Sequence, residues 1–121
     1  MNPPGKQDCK LVSEFMTGLV SHIRMNVLMG PYTTWCGDEG NEGITSMIGL
    51  TTSHSTIHIW NLELPEYSKI RFDLYSCAHY DVNEVFEYIR DHFIIVSANY
   101  KLFDRDQDMK EIDSGVYKIA A

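Results

Sequence analysis

Gly43-Ile44-Thr45-Ser46-Met47-Ile48-Gly49-Leu50-Thr51-Thr52-Ser53-His54-Ser55-Thr56-Ile57-His58-Ile59-Trp60 is the stretch that decides the fold. β-Branched and aromatic residues crowd into it, and they suit a pleated, half-buried surface. It reads as two strands, Ile44 to Leu50 and Ser53 to Trp60, with Thr51-Thr52 as a weak break between them. A break that short allows only antiparallel pairing, because a parallel crossover needs a dozen residues or more. Downstream, Ile70, Phe72 and Leu74 alternate with Arg71, Asp73 and Tyr75, the period of a further half-buried strand. The polar stretch Asn61 to Ser68, which holds Pro65, connects the two. Upstream, Asn26 to Trp35 suits a strand with an irregularity at Gly30-Pro31, followed by a glycine-rich loop from Cys36 to Gly43.

Helical patterns flank these strands. Leu11, Phe15, Leu19 and Ile23 recur every four residues behind a capping Asp8, which predicts a helix over 8–25. Asp81 with Glu84 makes a capping-box variant, and Val82, Val85, Phe86, Ile89 and Phe93 form the stripe of a second helix over 82–93. Ile94 to Phe103 reads as a last strand. Two amphipathic helices can cover only one face of an antiparallel sheet, so the expected fold is α+β, a two-layer α/β sandwich. Its uncovered sheet face calls for a second cover, and a homodimer is the expected one.

The 121 residues fit a single domain over 1–121, with 1–7 and the charged end 104–121 expected to be flexible. An apolar fraction of 44% and a charged fraction of 22% are those of a folded chain. Ten Lys+Arg against 17 Asp+Glu leave a net charge of −7 with no basic cluster, which disfavours a nucleic-acid backbone as partner. No apolar run reaches the roughly 20 residues of a membrane span, and no partner membrane is expected. Cys9, Cys36 and Cys77 are odd in number and far apart, which speaks against a disulfide framework or a cysteine zinc site. The chain reads as reduced, intracellular and cytoplasmic.

His54 and His58 carry the helical metal-ligand spacing, but their neighbours favour a strand, where four residues span roughly 13 Å. One ion cannot be gripped across that distance, so no metal is expected. On a strand, His54, Thr56, His58 and Trp60 share one face, and Ser53, Ser55, Ile57 and Ile59 the other. With Cys77 near the end of a neighbouring strand, this polar set offers a nucleophile and a proton donor. It equally suits hydrogen-bonded sheet residues with no chemistry.

The order of the residues goes further. Thr52-Ser53-His54-Ser55-Thr56-Ile57-His58-Ile59-Trp60 resembles the processing-site motif of the S-adenosylmethionine decarboxylase proenzymes of the small bacterial and archaeal kind. Gly43-Ile44-Thr45-Ser46 and Asp73-Leu74-Tyr75-Ser76-Cys77 resemble two further segments of that family, in the same order, and the likeness extends over residues 10 to 103. The resemblance implies a pyruvoyl-dependent decarboxylase of S-adenosylmethionine, serving polyamine (spermidine) synthesis. It implies a zymogen that cuts itself between Thr52 and Ser53, so that Ser53 becomes a pyruvoyl group able to form a Schiff base with the substrate. Thr45 and His58 correspond to the residues that handle protons during processing, and Cys77 to the catalytic acid. The residue before the serine, usually Glu in that family, is Thr52. Glu63 follows Trp60 one place later than the ribose-binding glutamate, and the family's N-terminal strand has no counterpart. The alternative on the same residues is an unprocessed, non-catalytic relative that binds or regulates.

Overall fold

In the computed structural model, residues 5–61, 69–95, 97–104 and 109–118 are described. A 3-10 turn, Lys6–Asp8, leads into helix α1, Cys9–His22. Strands β1 (Val27–Cys36), β2 (Gly43–Leu50), β3 (Ser53–Trp60) and β4 (Lys69–Ser76) follow, then helix α2 (Val82–His92), β5 (Ser97–Asp104) and β6 (Lys110–Lys118). The first four strands form one antiparallel sheet in chain order, β1-β2-β3-β4. The fold is α+β, as the strand and helix patterns predict.

α1 buries Val12, Phe15, Met16, Leu19, Val20 and Ile23 against Ile44, Ile48 and Leu50 of β2, Ile57 and Ile59 of β3, and Val85 and Tyr88 of α2. Both helices therefore cover the same face of the sheet. Leu11, expected in the helical stripe, is 47% exposed, whereas Val12 and Met16 are fully buried. The reason is helical pitch. A strict four-residue repeat advances about 40° too far per step at 3.6 residues per turn, so its first member has drifted off the buried face. α1 ends at His22, short of the expected residue 25, and the chain turns away at Arg24, whose φ of 61° accompanies its N–H reaching the Ser21 carbonyl and the Met25 N–H reaching that of Val20. α2 begins as expected at Asp81, whose carboxylate accepts from the Asn83 N–H at 2.8 Å. Glu84, the other half of the expected box, pairs with Arg24 at 3.1 Å.

The end of the chain departs from the sequence reading. Ile94 to Phe103 does hold a strand, β5, but not the last one: β5 pairs antiparallel with β6 in a separate two-stranded sheet, and β6 lies inside the 104–121 segment expected to be flexible. Tyr100 of this hairpin packs edge-on against Phe86 of α2, ring centroids 5.3 Å apart. Charged Lys110, Glu111 and Asp113 obscure β6 in the sequence, because an exposed hairpin needs few apolar residues.

Candidate active site

β2 and β3 are in register from Gly43 opposite Trp60 to Leu50 opposite Ser53, which makes Thr51-Thr52 a two-residue turn. The same pairing sets Thr45 opposite His58, and β3–β4 pairing sets Ser53 opposite Ser76. Strand alternation then divides the side chains. Ser46 and Ser55 are fully buried with the isoleucines beneath the helices, while Thr45, His54, Thr56 and His58 stand on the open face.

The Thr52–Ser53 peptide is held from three sides. The Thr52 carbonyl oxygen accepts both the backbone N–H and the thiol of Cys77, each at 3.1 Å. The Thr52 hydroxyl accepts from the Ser76 hydroxyl at 2.9 Å and donates to the Met25 sulfur at 3.7 Å. The Thr51 N–H donates to the Asn26 carbonyl at 3.1 Å. Two donors on one carbonyl oxygen polarise it and stabilise any negative charge that develops there, the arrangement of an oxyanion hole. Tyr80 steadies the far side of β4 by donating to the Leu74 carbonyl at 3.2 Å, and burial raises its phenol above the ordinary value of 10.0.

A second cluster occupies the other end of β2 and β3. Thr45 Oγ1 and His58 Nδ1 are 3.0 Å apart. The His58 ring lies 5.9 Å from that of Trp60, whose indole N–H donates to Asn41 Oδ1 at 2.8 Å; the Asn41 amide in turn donates to the Cys36 sulfur at 3.6 Å. These residues line a small pocket of about 50 Å³. A Cβ at Gly43 would run into the Ile59 carbonyl oxygen and lie 3.0 Å from Trp60 Cα, so only glycine lets the two strands approach this closely at the pocket floor.

Of the residues singled out in the sequence, Ser53, Thr52 and Cys77 come together at one end of the sheet, and Thr45 and His58 at the other. Ser53 and His58 are five positions apart on β3, on opposite faces and about 16 Å apart along the strand. One chain does not join the two groups. Glu63 lies outside the described residues. His54 stacks beside Tyr75, ring centroids 5.6 Å apart. Sequence reasoning gave no role to Ser76, Met25 or Asn41. Ser76 adjoins Cys77 in a quoted motif, but Met25 and Asn41 carry no local signal. Among the described residues there is no group of three His, Cys, Asp or Glu placed to hold a metal ion, and no helix long and apolar enough to cross a membrane.

A family model described as S-adenosylmethionine decarboxylase matches residues 2–106 of this chain. Searches of curated proteins and of solved structures returned no match.

Proposed function

This chain belongs to the S-adenosylmethionine decarboxylase family, and we propose that it is a self-cleaving, pyruvoyl-dependent decarboxylase of S-adenosylmethionine that serves polyamine synthesis. The observation that carries this reading is the pair of donors from Cys77 on the Thr52 carbonyl oxygen. Cleavage starts when the Ser53 hydroxyl attacks the Thr52 carbonyl carbon. A C–O bond forms, the C–N bond breaks, and the hydroxyl proton passes to the Ser53 nitrogen. The oxyanion that forms on the way sits where the Cys77 N–H and thiol already point, so no reorganisation is needed. In the second step a base removes the Ser53 Cα proton, the Cβ–O bond breaks and Thr52 leaves as a carboxylate. One water then converts the dehydrated residue to a pyruvoyl terminus and ammonia.

The residues at the junction fit that origin: a serine at the start of a strand, a short turn before it and an activated carbonyl between. The pyruvoyl group supplies an electrophilic ketone that binds the substrate amine and takes up the electrons released with carbon dioxide. Cys77 is the acid that returns a proton to the substrate carbon, and the Thr45–His58 pair is the base of the elimination. That pair lies about 16 Å from Ser53 in its own chain. A homodimer that sets the Thr45–His58 end of one chain's sheet beside the turn end of its partner's, where Ser53 starts β3, brings the pair to the serine, which is why we read the working unit as a dimer. Glu63, next but two after Trp60, is the proposed carboxylate for the ribose hydroxyls.

Intact-mass measurement of the purified protein tests the reading. Fragments 1–52 and 53–121, the second with a pyruvoyl terminus, together with carbon dioxide release from S-adenosylmethionine, are expected. A single uncut species of 13.9 kDa that releases no carbon dioxide would leave a non-catalytic relative.

A further inference from the structure

The hydrogen bonds around Thr52 form a directed chain that the cleavage chemistry above does not use. The Ala78 N–H donates to Ser76 Oγ at 3.0 Å. The Ser76 hydroxyl proton is aimed at Thr52 Oγ1, 2.9 Å away, and the Thr52 proton at Met25 Sδ, 3.7 Å away. Each hydroxyl thus accepts once and donates once, which fixes the rotor of both side chains. Met25 is 9% exposed, so the chain of bonds ends in the core.

We infer that Ser76 is a positioning residue for cleavage of the Thr52–Ser53 bond. This inference rests on the self-cleavage reading. Ser76 touches no reacting atom. It fixes Thr52, and Thr52 carries the carbonyl under attack. Without an anchor, rotation about the Thr52 backbone swings that carbonyl oxygen away from the Cys77 donors. Ser76 sits opposite Ser53 and next to Cys77, so a single residue keeps the nucleophile's strand, the anchored side chain and the two donors in one frame. Reactions of this kind are sensitive to such placement, because misalignment of about 1 Å costs on the order of a hundredfold in rate.

The test follows cleavage with time in chain freshly made by cell-free translation, on denaturing gels. Ser76→Ala is expected to slow cleavage at least tenfold, and Ser76→Thr, which restores a hydroxyl, to recover most of the rate. Thr52→Val keeps the shape of the side chain and breaks the same relay from its other end. It is expected to slow cleavage comparably, and the double variant Ser76→Ala/Thr52→Val to be no slower than either single one. This non-additivity is the signature of one shared device rather than of two general losses of stability. Wild-type cleavage with Ser76→Ala and Thr52→Val both at the wild-type rate overturns the positioning role and leaves the cleavage reading intact. Slowing by Ser76→Ala that Ser76→Thr does not relieve, or independent effects that multiply in the double variant, also overturn it. Failure of the wild type to cleave removes both.

Discussion

Ser53 and His58 share strand β3 but lie on opposite faces of it, about 16 Å apart. Ser53 belongs with Thr52 and Cys77 at the turn. His58 belongs with Thr45 at the far end, beside the pocket of Asn41 and Trp60. On the proposed reading, in which processing uses both residues, they come from two chains.

Mixed dimers test this directly. Ser53→Ala lacks the proposed nucleophile and His58→Ala the proposed base, so each alone is expected to remain uncut. Co-expressed with distinguishable tags, the two should yield cleaved His58→Ala chain and uncut Ser53→Ala chain. Cleavage of neither in the mixture, with dimers present, would argue that both groups act within one chain.

Cys77 contributes two donors to the Thr52 carbonyl, and only one is a side chain. Cys77→Ala should therefore slow cleavage rather than abolish it. A thiol is a weak donor, so the expected loss is about tenfold, below the larger cost of removing a strong oxyanion-hole donor. Cys77→Ser keeps a donor and should cleave faster than Cys77→Ala, while carbon dioxide release stays impaired in both. Complete block of cleavage by Cys77→Ala would mean that the N–H alone cannot support the reaction.

Gly18 faces the phenol of Tyr88, whose hydroxyl donates to the Phe15 carbonyl at 2.7 Å. A Cβ at position 18 would collide with that hydroxyl. Alanine would add about 0.5–1 kcal/mol of helix propensity, but overpacking costs about 1–3 kcal/mol, so Gly18→Ala is expected to be destabilising on balance. In a Tyr88→Phe background the nearest remaining ring atom is 3.2 Å from the added Cβ, and the penalty should shrink or vanish. Urea titrations of the four proteins in this cycle would measure the coupling. Equal penalties in the two backgrounds would show that the phenol oxygen is not what excludes a side chain at position 18.

Burial raises the Tyr88 phenol above its ordinary value of 10.0. Below that value the group is neutral in the folded and unfolded chain alike, and its contribution to stability is complete. As pH rises past 10, the unfolded chain gives up the proton while the folded chain keeps it, so stability falls until the folded pKa is passed. Thermal melts at neutral pH and above pH 10 should show a smaller alkaline loss for Tyr88→Phe than for the wild type. Tyr80, raised by the same cause, keeps its share of the loss in both proteins.

The β-rich run from Gly43 to Trp60 determined two antiparallel strands without help from the rest of the chain, since a two-residue break leaves no other pairing. Alternation around Phe72 located β4, and Asp81 located the start of α2. The order Thr52-Ser53-His54, with Cys77 downstream, carried the family resemblance and with it the proposed cleavage site. Local patterns of this kind are legible because hydrophobic period and capping act between residues close in sequence.

Other features needed the folded chain. Leu11 fits a four-residue repeat as well as Val12 fits the real buried face, and only packing against β2 separates them. The hairpin of β5 and β6 has too few apolar residues to announce its second strand. Thr52, Ser76 and Met25 are 24 and 27 positions apart in their two contacts, and no spacing rule predicts a hydroxyl relay over such separations. The sequence by itself, through its family resemblance, pointed to the Thr52–Ser53 bond as the one proposed to break. The tertiary structure decided what holds that bond and which groups lie beyond its reach, because strand register brings residues distant in sequence together and pleat alternation sends near neighbours to opposite faces.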